Sequence, residues 1–262
     1  MSTQVAEKGT VVADTLALDG TLLRLKLNRP KANIVDAEMI GALDGALAAQ
    51  QDNRDLVAVL VEAEGPHFSF GASVEEHLPE SCEQMLKSLH GLVRRMLEYP
   101  VPVLVAVRGQ CLGGGLEVAM AGHMIFAAPD ANLGQPEMLL GVFAPAASCL
   151  LPGRVGQARA EDLLYSGRSV SGADAAEMGL VDAVDPSPEA AAVTYVETHL
   201  KPKSASSLRM AVRAARAGYC RQVIARLDEV EALYLDELMS TRDAVEGLDA
   251  FLAKRTAKWE NR

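Results

Sequence analysis

Basic residues are in the minority. The 262-residue chain has 25 Lys and Arg against 35 Asp and Glu, a formal net charge of −10 and a pI of about 5.0. Non-specific nucleic-acid binding needs a basic face, so that class is excluded, although a local basic pocket for a phosphorylated ligand is not. Cysteine is sparse. Cys82, Cys111, Cys149 and Cys220 are scattered, with no C-x-x-C pair. Together with a polar start, MSTQVAEKG, that shows no signal peptide, this sets the expectation of a reducing, cytoplasmic setting. Five histidines, His67, His77, His90, His123 and His199, show no metal-ligand spacing, so no metal is expected. No apolar run approaches the roughly 18 residues that span a bilayer, and no membrane partner is expected. Internal repeats and low-complexity linkers are lacking too. What is present is apolar: 49% of the residues are hydrophobic, enough for a sizeable core in one large domain or a domain with a helical appendage.

The chain is organised around GQCLGGGLEVAMAG, Gly109 to Gly122. An apolar run, PVLVAV, precedes it and reads as a buried strand. Three glycines then lead into Leu116–Met120, a helix. Such a junction leaves backbone N–H groups unpaired at the helix start, and glycines let a ligand approach them. The partial positive charge there favours an oxygen that carries or develops negative charge. Glu117 lies in or near the first helical turn. One short element therefore offers both an anion-stabilising donor and a proton-transfer group; the alternative is a packing turn with Glu117 as a surface acid. The pattern is neither the dinucleotide fingerprint G-x-G-x-x-G nor a phosphate loop, since no Gly-Lys-Ser/Thr follows.

Along the rest of the chain, Thr10–Leu18 and Thr21–Leu27 read as strands joined by the hairpin signal Asp19-Gly20. Asp36 caps a helix to about Asp52, with Ile40, Leu43, Leu47 and Ala48 on one face. Leu56–Glu62 reads as a strand buried on both faces. Ser81-Cys82-Glu83-Gln84 matches a capping box. The helix after it, to Tyr99, carries an apolar stripe from Met85 to Leu97 that reads as core or interface, with His90 beside it as a structural histidine. Met124–Ala127 is a short strand. Leu133–Glu137 is loop-like, with Glu137 following a proline. From Ala158 helices dominate: Ala158–Tyr165, Gly172–Met178, Ser187–Leu200, Ser204–Ala217, Arg221–Met239 and Thr241–Lys258, with a strand at Leu180–Val184. Alternating strands and helices followed by helices alone predict a parallel α/β core with a helical C-terminal region.

Six segments in order resemble the crotonase, or enoyl-CoA hydratase/isomerase, superfamily. They are NRPKAN (Asn28–Asn33), FSFGASVEE (Phe68–Glu76), the glycine-rich stretch itself, LGQPEMLLG (Leu133–Gly141), GLVDAV (Gly179–Val184) and EGLDAFLAKRTAKW (Glu246–Trp259). The resemblance implies a ββα spiral core over residues 1–195. It implies a helical region over 196–262 that builds a homotrimer or a dimer of trimers. It also implies an acyl-CoA thioester as substrate, with no separate cofactor because coenzyme A is part of that substrate. Matched by motif, the backbone N–H groups of Ala72 and Gly114 form the oxyanion hole, and Glu117 and Glu137 are the catalytic pair. Preorganised amides lower the cost of charge on the thioester oxygen by roughly 3–4 kcal/mol per donor. Two carboxyl groups flanking a water divide proton removal from proton delivery, which favours water addition. Lys31 and Ala32 match the loop at the adenosine end. Phe70, Ser73, Val74 and Phe143 match substrate-lining positions, and Lys254 and Lys258 are candidate phosphate contacts in the last helix.

The chain departs from the common hydratase pattern in three places. Ser73-Val74-Glu75 replaces the usual Asp-Ile-Lys. Val142-Phe143-Ala144-Pro145-Ala146-Ala147-Ser148-Cys149 replaces a glycine-rich run, so that Phe143, Ala146 and Ala147 are expected to narrow the acyl end. The first loop reads NRPKANIVDAEM. These stretches resemble hydratases of cyclohexa-1,5-diene-1-carbonyl-CoA, the enzymes of anaerobic benzoyl-CoA degradation that form 6-hydroxycyclohex-1-ene-1-carbonyl-CoA. The competing expectations are a straight-chain 2-enoyl-CoA hydratase, a double-bond isomerase, and a non-enzymatic scaffold or RNA-binding protein on the same fold.

Overall fold

The computed structural model describes residues 11–262, so Thr10 and the polar segment before it lie outside the described part. Strands β1 (Val12–Ala17) and β2 (Leu22–Leu27) pair antiparallel. Leu18, Asp19 and Gly20 between them all take positive φ, the tight reversal that Asp-Gly predicts. Helix α1 (Ala37–Gln50) starts where Asp36 accepts from Met39 N at 3.0 Å. Its buried stripe is Met39, Ile40, Leu43 and Leu47. Ala48 is exposed instead, because Met39, one turn before Leu43, completes that face.

Strand β3 (Ala58–Ala63) leads through helix α2 (Cys82–Leu97) to β4 (Val103–Val107). The capping box expected at Ser81 does not form. Its backbone N–H, which Gln84 would have to satisfy, already donates to Leu78 O at 2.9 Å. Next come β5 (Gln110–Leu112), helix α3 (Gly114–Ala121), β6 (Met124–Ala127) and β7 (Asn132–Gly134). Then follow α4 (Pro145–Val155), α5 (Gln157–Ser166), β8 (Ser169–Ser171), α6 (Gly172–Glu177), β9 (Ala183–Val184) and α7 (Pro188–Tyr195).

One sheet has the order β1-β2-β3-β4-β6-β9, parallel after the first pair; the other is β5-β7-β8. From β4 to β7 the chain visits the two sheets in turn, β8 stays beside β7, and β9 returns to the large sheet, the spiral the family resemblance implies. Period-2 alternation sorts the large sheet's side chains. Val59, Val61, Val103, Val105 and Val107 face the main core with α1, α2 and α3, while Ala58, Leu60, Leu104 and Ala106 face the cluster that includes Ala192 and Val196. Both faces of the parallel strands are thus covered, as their unbroken apolar sequence predicts.

The C-terminal region is helical, but differently divided. Helix α8 (Ala205–Ala232) runs through Gly218 without a break, where the sequence reads two helices. A mid-helix glycine costs only about 1 kcal/mol, and Cys220, Val223 and Leu227 immediately after it are buried in the main core. Helix α9 (Arg242–Leu252) ends early, so Lys254 and Lys258 lie beyond it, both exposed. Helix α4 is absent from the sequence reading because Pro145, Pro152 and Gly153 disguise it.

Candidate active site

The segment Phe68–Ala72 makes isolated β-bridges, Ser69 with Cys111 and Ala72 with Val35. Ser69 N donates to Gln110 O (2.9 Å), Leu112 N to Ser69 O (3.1 Å), Phe70 N to Ala32 O and Val35 N to Gly71 O (both 2.9 Å). This clamps the FGAS loop against the glycine turn. An ideal Cβ on Gly115 would lie 2.6 Å from Ser69 Cβ, and one on Gly114 would lie 3.1 Å from Ala72 N. The glycines therefore allow close approach, and that approach brings the Ala72 amide nitrogen against Gly114. Among the described residues neither N–H has an acceptor. Gly114 opens α3, where the first N–H groups are free by geometry.

Helix α3 is buried along its whole length, so Glu117 is not a surface acid but 3% exposed. Its Oε1 accepts from Ala147 N at 2.8 Å, in the first turn of α4. A carboxylate there gains the free N–H and the positive end of the helix. Glu137 rides a 3₁₀ turn, Pro136–Leu140, rather than an open loop. Gly113 N donates to Gly134 O at 3.0 Å, tying the two carboxylate-bearing segments together. A Cβ on Gly113 would meet Glu137 Oε1 at 2.8 Å. Gln135, 1% exposed, donates to both Glu137 oxygens at 3.0 Å when its amide nitrogen faces them. From the far side, α9 rests on this turn, and Gly247 leaves room for Leu140 O, which a Cβ would approach to 2.0 Å.

Both carboxyls line one cavity of about 720 Å³ together with Phe70, Ala72, Ser73, Val74, Gly114 and Phe143. Eight of the ten candidate residues are thus brought together. Lys31 and Ala32 do not line it. Lys31 is exposed, and Ala32 serves through its carbonyl, which holds Phe70. Ala146 and Ala147 do not narrow the cavity; they are buried behind it, and Ala147 acts through its backbone on Glu117. The apolar stripe of α2, expected to be core or interface, reaches the site: Met85, Leu86 and Leu89 line the wall. Phe143 packs edge-on against buried Tyr234, with ring centroids 5.2 Å apart. His90 pairs with Glu231 through Nδ1 but leaves a buried Nε2 without a partner among the described residues.

Reasoning from sequence missed Gln135, the Ala147 N–H and Tyr234. Gln135 stands in the quoted motif, and proline at Pro145 is a first-turn helix signal. Nothing local marks Tyr234. Among the described residues no group of three or more His, Cys, Asp or Glu could hold a metal, and no helix is long and apolar enough to cross a membrane.

Burial raises Glu117 from 4.5 to about 7, against the opposing N–H groups of Ala147 and Ala146. Burial and the charge of Glu117 raise Glu137 to about 8. The two sense each other and titrate as a pair that retains a proton near neutrality. Activity that needs one charged and one protonated carboxyl should rise as the first proton leaves and fall as the second leaves, with its maximum near pH 7–8. Stability follows the opposite ends. A raised folded-state pKa stabilises fully below the unfolded value of 4.5, and that contribution is lost as pH climbs through about 7 and 8. The thermal midpoint should therefore fall between pH 5 and pH 9 more steeply in the native protein than in Glu117→Gln/Glu137→Gln, as calorimetry would show; parallel curves would contradict the burial of this pair.

A model of the enoyl-CoA hydratase/isomerase family matches residues 18–262. A cyclohexa-1,5-dienecarbonyl-CoA hydratase of Thauera aromatica is 66% identical over 94% of this chain and 96% of its own. A probable enoyl-CoA hydratase of Bacillus subtilis is 31% identical over 95% of this chain and 98% of its own. The crystal structure of an enoyl-CoA hydratase/isomerase from Xanthobacter autotrophicus Py2 superposes with a TM-score of 0.82 at 27% identity, over 94% of this chain and 97% of that one. By fold, by motif order and by similarity over nearly its whole length, the chain belongs to the enoyl-CoA hydratase/isomerase family.

Proposed function

We propose that the protein hydrates a cyclic conjugated dienoyl-CoA thioester, cyclohexa-1,5-diene-1-carbonyl-CoA, to 6-hydroxycyclohex-1-ene-1-carbonyl-CoA. One observation carries this: a buried carboxyl, Glu117, and a half-buried one, Glu137, face one apolar cavity beside two unpaired amides, in a chain 66% identical to a hydratase of that thioester. The thioester oxygen sits between the N–H groups of Ala72 and Gly114. Glu117, charged at the α4 N-terminus, takes a proton from water as the water oxygen bonds to the β-carbon. The π-electrons move toward the carbonyl, giving a dienolate whose charge the two amides stabilise. Glu137 then delivers its proton to the vinylogous carbon, and the remaining double bond stays conjugated with the thioester. Glu117 ends protonated and Glu137 charged, and one proton shift between them through solvent restores the start. Every step runs through protein groups and water, so no separate cofactor is required.

Phe70, Ser73, Val74 and Phe143 contact the acyl thioester in this reading, with Lys31 and Ala32 at the loop beside its entrance. In this reading the domain of residues 1–195, of which the structure describes 11–195, is the spiral core, and 196–262 is the helical region through which copies assemble as a trimer or a dimer of trimers. Exposed Leu139, Phe251 and Trp259 support that assembly, since apolar surface of this kind favours burial in an interface. Four free, buried thiols support a reducing, cytoplasmic setting.

The test is turnover of the cyclic dienoyl thioester in ¹⁸O-labelled water. One labelled oxygen per product is expected. Conversion without label would mean isomerisation, and no conversion of any acyl-CoA would mean a scaffold.

A further inference from the structure

His77 lines the cavity yet takes no part in these proton transfers. It ends the 3₁₀ turn Glu75–His77, which packs against α2 and α9. Its Nδ1 lies 2.7 Å from Ser73 O. A carbonyl can only accept, so Nδ1 carries the proton. Burial lowers the pKa of the ring and keeps it neutral, which leaves Nε2 as a lone-pair acceptor. Among the described residues nothing donates to Nε2, and unlike the Nε2 atoms of His90 and His123 it is not sealed inside the protein.

The neighbours Val74 and Leu78 pack with Met85, Leu86 and Phe143, so an acyl thioester in the cavity lies against this imidazole. Covering an acceptor with hydrocarbon leaves it unpaired, which is costlier than having leucine or methionine there. We propose that His77 Nε2 accepts a hydrogen bond from an N–H or O–H group of the acyl-CoA ligand. The inference rests on the thioester reading above. Two parts of the ligand supply such a donor: a hydroxyl on the acyl ring, and the pantetheine arm with its amide N–H groups and its own hydroxyl.

Binding of unreactive thioesters separates these sources and does not depend on turnover. Calorimetry would give Kd for cyclohexanecarbonyl-CoA and for its ring-hydroxylated analogue, with native protein, His77→Leu and His77→Gln. Losing one hydrogen bond raises Kd roughly 3- to 10-fold. His77→Gln, which keeps an acceptor, should recover part of that loss. A loss confined to the hydroxylated ligand identifies the ring hydroxyl; an equal loss on both identifies the shared pantetheine arm. Unchanged Kd for both ligands in His77→Leu overturns the proposal, as does an equal loss in Leu and Gln variants or one that tracks a lowered thermal midpoint. Failure of the ¹⁸O experiment would remove the hydratase reading while leaving these binding constants interpretable.

Discussion

Glu137→Gln is expected to lower kcat by roughly two to four powers of ten, the usual size of a positioned acid–base group. The substitution keeps shape and removes the proton. Glu137 sits where its backbone is fixed by Pro136 and by Val142 N, which donates to its carbonyl at 3.3 Å. Gln135 and the Gly113 turn confine its carboxyl. The new amide therefore occupies the same space. KM should change little, because the donors proposed to hold the thioester oxygen are backbone groups of Ala72 and Gly114, which no side-chain change at 137 removes. Steady-state kinetics on the cyclic dienoyl thioester, with circular dichroism as a control for folding, decides the point. Near-normal turnover in a folded variant would exclude Glu137 from proton transfer.

A preference of several powers of ten in kcat/KM for the cyclic dienoyl thioester over crotonyl-CoA is the second large effect. Phe143 supplies a flat wall, and Tyr234 fixes its orientation from behind. Met85, Leu86, Leu89 and Val142 complete an apolar surface around it. A ring fills such a space; a four-carbon chain leaves part of it without contacts. One methylene's worth of fit changes discrimination by about 1–3 kcal/mol, and a ring differs from crotonyl by several such groups. Geometry adds a second factor: the vinylogous carbon lies across the ring from the carbon that water attacks, so in the proposed mechanism Glu137 delivers its proton farther from the thioester than an α-carbon would need. The measurement is kcat/KM for both thioesters on one preparation, with the deuterium position read by NMR after reaction in D₂O. Equal or higher efficiency on crotonyl-CoA would remove the substrate assignment and leave hydration standing. Deuterium at the α-carbon alone would remove the vinylogous route.

Local chemistry by itself determined much of this protein. Asp19-Gly20 specifies a reversal because few residues accept positive φ. Asp36 starts α1 because its carboxylate meets a free amide. The unbroken valine and leucine runs of β3 and β4 require cover on both faces, and three glycines before Glu117 announce a close backbone approach. These signals act over a few residues, so they are written where they act. Signals that fail are those that distant groups override. The capping box at Ser81 loses to Leu78 O, and Gly218 does not stop α8 because buried neighbours outweigh a cost of about 1 kcal/mol. Glu117 could be read from sequence as either a surface acid or a catalytic one. Only the burial of α3 and the arrival of the α4 N-terminus, 30 residues further on, exclude the surface acid. Likewise Met85 and Leu86 are an ordinary apolar stripe until the fold opens a cavity against them. Tyr234 matters only because the C-terminal helices bring it behind Phe143. A proton's affinity and a pocket's shape are set by everything within several ångströms. For this site those neighbours come from loops, helices and sheets far apart in the chain, and only the tertiary structure assembles them.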